Sequence, residues 1–140
     1  MSCSNFWKTF DPIADRLGPF HLQLPPQFSP DEFAKLEKVV SMLPSAYRYA
    51  VEVRHPDFFD HGKREHRLSR LLKSYNIDRV IFDTRKLHAM KSDEKSVLEA
   101  KRKKPEVPVR FDNTAARPFV RFVDLTIRWA MSLISRNGRL

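Results

Sequence analysis

The chain has 140 residues, which is the length of one ordinary domain and excludes two large ones. Its composition is 41% hydrophobic and 31% charged with 11 Phe, which is typical of a folded globular protein and excludes a disordered one. The formal net charge of +9 comes from residues 61–140, because residues 1–60 carry more acidic than basic side chains. Such an asymmetry indicates either a polyanionic partner or basic helix faces in solvent.

Cysteine and glycine usage exclude several classes of site. The single cysteine, Cys3, cannot form an intramolecular disulfide or a cysteine-based zinc cluster. The three glycines form neither a P-loop nor a dinucleotide fingerprint, so the sequence identifies no cofactor. No apolar run approaches the ~20 residues of a membrane span, and the first residues do not resemble a signal peptide. These features predict a cytoplasmic protein with no membrane partner.

The first half of the chain predicts two helices, each followed by a strand. Apolar spacing over residues 6–17 predicts a helix with a break at Pro12, and residues 20–24 predict a short strand. A capping box that begins at Ser29 predicts the start of a second helix with an apolar stripe. Residues 48–54 then alternate in polarity and predict a second strand.

The second half continues the same order. Residues 68–75 and 92–104 predict amphipathic helices, which precede strands predicted over residues 79–84 and 119–123. A last helix is predicted over residues 125–135. Strands that alternate with helices of this length form parallel βαβ units, so we predict an α/β fold.

Polar side chains are predicted to share one face of the sheet near the carboxyl ends of the strands. Because side chains alternate along a strand, each strand divides into an apolar set and a polar set. The carboxyl ends of parallel strands are where α/β folds bind their ligands. The predicted polar sets contain Gln23, Glu52, Arg54, Asp83 and Arg121, together with Arg85 if the third strand stays extended that far.

Two roles are predicted for these residues. Glu52 and Asp83 are candidate catalytic carboxylates, as acid/base groups or metal ligands. Arg54, Arg85 and Arg121 are candidate ligands for a small anion, since guanidinium groups bind carboxylate or phosphate in a bidentate manner. A plain ion pair between Glu52 and Arg121 is one alternative. A second such pair would join Asp83 to Arg54, and the sequence leaves both possibilities open.

His55 extends the candidate ligand-binding set. Carboxylate and imidazole groups at successive strand ends suit a divalent cation, but no paired-histidine spacing accompanies His55. Whether a metal binds therefore stays unknown, and capping of the segment that follows is the alternative role for this histidine.

Nucleic acid is the second class of partner considered. Residues 63–67 and 101–104 are basic runs of the kind that contacts phosphates. No aromatic-interleaved recognition motif accompanies either run, and solvated helix faces are the commoner explanation.

Several motifs give the chain a family resemblance. Residues 23–26 read Gln-Leu-Pro-Pro, and residues 52–56 read Glu-Val-Arg-His-Pro. Residues 80–85 and 118–122 continue the match in the same order. Over residues 6–123 the chain resembles the YecE-like family, also called domain of unknown function 72.

The resemblance implies a TIM-type (β/α) barrel whose biochemical function is not established. By similarity the chain corresponds to about strands four to seven of eight, so we expect a single partial barrel domain over residues 1–140. Residues 124–140 depart from the family and are expected to form a divergent helix. The parent fold is predicted to act on a small anionic or phosphorylated ligand at the carboxyl ends of its strands, and whether it is an enzyme stays open. A truncated member is expected, and a non-functional gene remnant is an alternative.

A partial barrel leaves the edges of its sheet unpaired. The strands predicted over residues 20–24 and 119–123 are the expected edges. Because unpaired backbone groups and apolar surface favour association, we expect the 140-residue chain to dimerise or to be insoluble.

Overall fold

The computed structural model describes residues 3–123, in which parallel strands alternate with helices. The strands are β1 (Phe20–Gln23), β2 (Tyr49–Glu52), β3 (Asp78–Arg79), β4 (Ile81–Asp83) and β5 (Val120–Phe122). The helices are α1 (Cys3–Lys8), α2 (Phe33–Ser41), α3 (Lys63–Ser74), α4 (Arg85–Ala89) and α5 (Lys95–Lys103). Short 3₁₀ helices occupy Asp11–Arg16, Pro30–Glu32 and Pro56–Phe59. This mixed architecture confirms the predicted α/β class.

The strands form two parallel sheets that meet at Val80. In the first sheet β1 pairs with β2 and β2 pairs with β3, and in the second β4 pairs with β5. Val80 alone separates β3 from β4, and its N–H donates to the carbonyl of Val51 at 2.9 Å. The strand predicted over residues 79–84 is thus divided, because its beginning pairs with β2 and its end with β5. The spatial order of the strands follows the chain, as in successive βαβ units.

The hydrophobic core lies between the sheet and the helices α2 and α3. Helix α2 buries Phe33, Leu36 and Val40, and α3 buries Leu68 and Leu72, with the spacing of one helix face. Strand β2 is buried at every residue. Apolar burial of this extent is the main favourable contribution to folding.

An aromatic cluster fixes the N-terminal segment against the sheet. Trp7 stacks on Tyr47 with ring centroids 5.3 Å apart and meets Phe20 edge to face at 5.1 Å. Pro12 lies in the first turn of the 3₁₀ helix that follows α1. The helix predicted over residues 6–17 is therefore divided, but the break comes at residues 9 and 10, before Pro12, which lies within the 3₁₀ helix.

The capping box predicted at Ser29 forms only in part. Ser29 Oγ accepts the backbone N–H of Asp31 at 3.3 Å, but the side chain of Glu32 bonds to a lysine, so only half of the capping box forms.

Helix α4 was not predicted, because five residues with one buried apolar side chain, Leu87, give no periodic signal. The helix predicted over residues 125–135 lies outside the described residues. No helix within residues 3–123 is long and apolar enough to cross a membrane.

A buried ion network joins α3, β3 and the segment before β5. Arg79 is 2% exposed, and its NH1 donates to Glu65 Oε1 at 2.9 Å and to Asp112 Oδ2 at 3.2 Å. Arg110 Nε donates to the same Glu65 oxygen at 3.0 Å. The hydroxyl of Thr114 accepts the backbone N–H of Arg79 at 2.7 Å, so this segment binds β3 where no strand does.

Replacement of Leu68 tests the core. Leu68 is fully buried on α3, so Leu68→Ala is expected to lower the free energy of unfolding by about 2–5 kcal/mol. Leu98→Ala on α5 is the control, since 51% of Leu98 is exposed and its loss is expected to change stability by less than about 0.5 kcal/mol. Denaturant unfolding of the two variants measures both values, and equal losses would contradict the assignment of Leu68 to the core.

Glu65 should make stability depend on pH. Burial by itself raises the pKa of Glu65, but the His61 N–H and the guanidinium groups of Arg79 and Arg110 outweigh burial and hold this pKa below its ordinary value. A carboxyl with a lowered folded pKa contributes stability above its unfolded pKa of about 4.3, and this contribution is lost as pH falls through the folded pKa.

We therefore expect Glu65→Gln to be less stable than the unchanged chain at pH 7 and to lose less stability between about pH 5 and pH 3. Denaturant unfolding at a series of pH values measures both effects. Parallel pH profiles for the two proteins would show that the ion network does not act in this way.

Candidate functional site

Side chains from three strands meet around the carboxylate of Glu52 at the carboxyl end of β2. Glu52 is fully buried, and its Oε2 accepts a 3.0 Å hydrogen bond from His21 Nε2. Its Oε1 accepts a 2.7 Å bond from Arg54 Nε, and Arg121 NH1 lies 2.9 and 2.8 Å from the two oxygens. The ion pair considered between Glu52 and Arg121 is thus present. Together with Gln23, these residues form what we call the Glu52 cluster.

The register of the strands places these side chains on one face. Gln23 lies opposite Glu52 in the ladder between β1 and β2, and His21 precedes Gln23 by two residues, so all three share a face. Arg121 lies opposite Phe82 in the ladder between β4 and β5. The Arg121 guanidinium lies 5.7 Å from the centre of the Phe82 ring, which gives the cluster an apolar floor.

Arg54 connects the cluster to the carboxyl end of α5. Its side chain is 5% exposed, and its NH1 donates to the carbonyl of Lys103 at 2.9 Å. Because Lys103 ends α5, this carbonyl carries the partial negative charge of a helix C-terminus. The carboxylate partner of Arg54 is therefore Glu52, and the pair considered with Asp83 does not form.

Arg121 is held through one nitrogen atom. Every hydrogen bond that it makes with residues 3–123 comes from NH1, which donates to both Glu52 oxygens and to Gln23 Oε1 at 2.9 Å. Nε and NH2 form the other edge of the guanidinium, and 30% of the side chain is exposed. Arg85 uses the same edge to bind the two oxygens of Asp83 at 2.9 and 2.6 Å. Arg121 thus keeps an edge that no residue within 3–123 engages and that matches a carboxylate or phosphate group.

Asp83 and Arg85 are not brought into the Glu52 cluster. Phe82 faces Arg121, so alternation along β4 directs Asp83 to the opposite face. The hydrogen bond from the Arg85 side chain lowers the pKa of Asp83 below its ordinary value, although burial opposes this shift. From the sequence, Asp83 was expected to lie on the same face as Glu52 and Arg121. Pairing between β4 and β5 instead places Phe82 on the face that carries Arg121.

His55 caps a helix and does not contact the cluster. Its Nδ1 accepts the backbone N–H of Asp57 at 3.2 Å, at the start of the 3₁₀ helix Pro56–Phe59. This is the capping role considered from the sequence. In the part of the chain that the structure describes, no group of three or more His, Cys, Asp or Glu side chains is arranged to hold a metal ion.

His21 is a member of the cluster that the sequence analysis did not select. Alternation placed it on the same face as Gln23, and that signal was sufficient to include it. A single histidine without a spacing motif gave no further reason to choose it. In the structure its ring lies 5.4 Å from the ring of Phe119, and 27% of its side chain is exposed.

Comparisons with known proteins assign the family. The family model described as Protein of unknown function DUF72 matches residues 2–131. UPF0759 protein YecE of Escherichia coli strain K12 is 41% identical over 120 residues, and the protein of the same name from Escherichia coli O157:H7 is 40% identical over 120 residues. Each alignment covers 86% of this chain and 44% of the relative, so the chain spans less than half of the length of these relatives. No solved structure is significantly similar. Because the family model matches most of the chain, this protein belongs to the DUF72 family of proteins of unknown function.

Proposed function

We propose that this chain forms part of a TIM-type barrel that binds a small anionic ligand at the carboxyl ends of its strands. The guanidinium of Arg121 is the group that binds the ligand. One observation carries the proposal: Arg121 is anchored through NH1, and its Nε and NH2 edge is left unengaged by residues 3–123. The ligand and the reaction of the whole protein are also proposals, because this chain covers only 44% of the length of each relative.

Contacts across the sheet support the barrel. In a flat sheet with strands about 4.8 Å apart, β1 and β5 would lie about 14 Å from each other. Yet the rings of His21 and Phe119 are 5.4 Å apart, and Arg121 reaches Gln23 at 2.9 Å over the same interval. A sheet that brings its outer strands together over one face curls as a barrel sheet does. The correspondence with about strands four to seven of eight rests on the family resemblance.

The charge of the cluster supports an anion as the ligand. One buried carboxylate, Glu52, lies between two guanidinium groups, those of Arg54 and Arg121. A bound monoanion would balance the remaining positive charge. The amide oxygen of Gln23 accepts from Arg121, which leaves its amino group as a further donor for the ligand.

Glu52 acts in this proposal as a positioning residue. Its two oxygens accept four hydrogen bonds from three cationic or imidazole groups, so it orients the groups that contact the ligand. The catalytic role predicted for Asp83 and the ligand-binding roles predicted for His55 and Arg85 stay predictions outside this proposal.

Neither basic run favours nucleic acid as a second function. On α3, Arg64 pairs with Asp57 and Arg67 approaches Glu37, and on α5 a lysine pairs with Glu99. These pairs are typical of solvated helix faces. Nucleic-acid binding and self-association through the sheet edges therefore stay predictions from the sequence.

Arg121→Lys tests anion binding. Loss of a charge-assisted bidentate contact worth about 1.5–3 kcal/mol is expected to weaken binding of inorganic phosphate or acetate about tenfold to a hundredfold. Titration of the backbone amide NMR signals around the Glu52 cluster with each anion measures the affinity in all three proteins. Arg85→Lys is the matched control, because Asp83 already occupies the corresponding edge of Arg85, and it is expected to bind like the unchanged chain. Equal affinity in Arg121→Lys, or no binding by the unchanged chain, would overturn the proposal.

Glu52→Gln tests the positioning role. The variant leaves the buried Arg54 without its counter-charge, so we expect the free energy of unfolding to fall by about 3 kcal/mol or more. Asp83→Asn is the control, since its partner Arg85 is largely exposed and the expected loss is about 1 kcal/mol or less. Denaturant unfolding compares the two, and the anion titration is repeated on the folded variants, where affinity should fall in Glu52→Gln and stay unchanged in Asp83→Asn. A loss of stability at Glu52 no larger than at Asp83, or unchanged anion affinity in Glu52→Gln, would contradict the role.

A further inference from the structure

We propose that His21 is the proton-transfer residue of this site. The ligand would be a small carboxylate or phosphate ester with an acidic C–H or O–H bond beside its anionic group. This inference rests on the proposed anion site and names the class of reaction that takes place there.

Glu52 fixes which nitrogen of the His21 ring carries a hydrogen. A carboxylate can only accept a hydrogen bond, and Glu52 Oε2 lies 3.0 Å from His21 Nε2, so Nε2 holds the hydrogen. The lone pair of the neutral ring is then on Nδ1. No residue within 3–123 bonds to Nδ1, and 27% of the side chain is exposed. The basic nitrogen of His21 is therefore the one available to a ligand.

The surroundings of His21 suit proton transfer. A buried carboxylate that accepts from an imidazole holds the ring in one tautomer and stabilises the imidazolium that forms when the other nitrogen takes a proton. Glu52 also pairs with Arg54 and Arg121, so the negative charge of the bound anion is what balances an imidazolium at His21. The ring of Phe119 packs against the His21 ring at 5.4 Å and limits its rotation.

His21 and Arg121 are neighbours because they share one oxygen atom. His21 Nε2 and Arg121 NH1 both bond to Glu52 Oε2, at 3.0 and 2.8 Å. The shared oxygen places the Arg121 guanidinium and the His21 ring in one cluster, and the inference requires a ligand that spans from the Nε and NH2 edge of Arg121 to Nδ1 of His21. There the C–H or O–H bond breaks, its electron pair stays on the ligand, and the proton forms an N–H bond at Nδ1. Return of the proton to a neighbouring atom of the ligand regenerates the neutral ring, so the net reaction is an isomerisation of the ligand.

The other histidines with hydrogen-bonded rings have different partners. His55 accepts from a backbone N–H, whereas the rings of His66 and His88 lie 2.8 Å from backbone carbonyl oxygens. Among the residues that the structure describes, His21 is the histidine paired with a carboxylate. The pairing that orients a catalytic histidine thus occurs beside the candidate anion site.

Diethyl pyrocarbonate modification of the unchanged chain tests the inference. The reagent acylates unprotonated imidazole nitrogens, and mass spectrometry of the peptides gives a rate for each histidine. We expect His21 to be modified, and to be modified about tenfold more slowly at a phosphate or acetate concentration about ten times its Kd. The rate at His66 should not change, and neither anion should protect His21 in Arg121→Lys. Nitrogen-15 spectra of the histidine rings give the tautomer of His21 independently.

The outcomes separate this inference from the proposed function. Absence of phosphate and acetate binding by the unchanged chain would overturn the anion site, and the inference with it. Anion binding without protection of His21 would overturn the inference alone. A His21 ring that carries its hydrogen on Nδ1 would also overturn it alone, while Arg121 would remain the anion-binding residue.

Discussion

The buried carboxylate of Glu52 is the interaction on which the arrangement of this site depends. Removing an ionised carboxyl from water costs several kcal/mol, so a side chain that is 0% exposed needs nearby cationic and hydrogen-bond donors. Those donors come from separate strands: His21 from β1, Arg121 from β5, and Arg54 from just beyond β2. They reach one carboxylate only if all strands keep one register and curl toward one face. The same interaction therefore favours this register of the strands and orients the side chains of the Glu52 cluster.

Two buried networks lie on opposite sides of the sheet, one around Glu65 of α3 and one around Glu52 of β2, and their remaining donors explain why the second is the candidate site. On the helix-covered face Glu65 binds Arg79 and Arg110, whose further donors reach an aspartate and backbone carbonyls. Among the described residues, Arg79 Nε is the one buried side-chain atom without a partner, and it is closed to solvent. Around Glu52, in contrast, Arg121 keeps an unengaged edge on an exposed side chain. The donors of Arg79 and Arg110 around Glu65 therefore bond within the protein or are closed to solvent. Arg121 beside Glu52 keeps donors that no residue within 3–123 engages.

Much of this arrangement follows from periodicity in the sequence. Alternation along the strands selected Gln23, Glu52 and Arg121 correctly as neighbours, because side-chain direction in a strand is a local property. Alternation did not identify the face on which Asp83 lies. The face of β4 that meets the site depends on pairing with β5, which is distant in the chain. The break at Val80 and the short helix α4 were missed for the same kind of reason, since tertiary contacts decide both. The role proposed for His21 rests on its hydrogen bond to one oxygen of Glu52, and no spacing motif in the sequence encodes that contact.

The Glu52 cluster also bears on the relation between this chain and its longer relatives. The hydrogen bonds that join its side chains are all made between residues 21 and 121, so this segment contains every residue to which the proposals assign anion binding and proton transfer. The relatives have more than twice the length that aligns with it. In a barrel, strands from the rest of the chain face the same central space and contact the other end of a ligand. If the proposals hold, the residues that recognise the anionic group and transfer the proton lie in the strands described above. The choice among ligands that carry the same anionic group is set by the residues opposite.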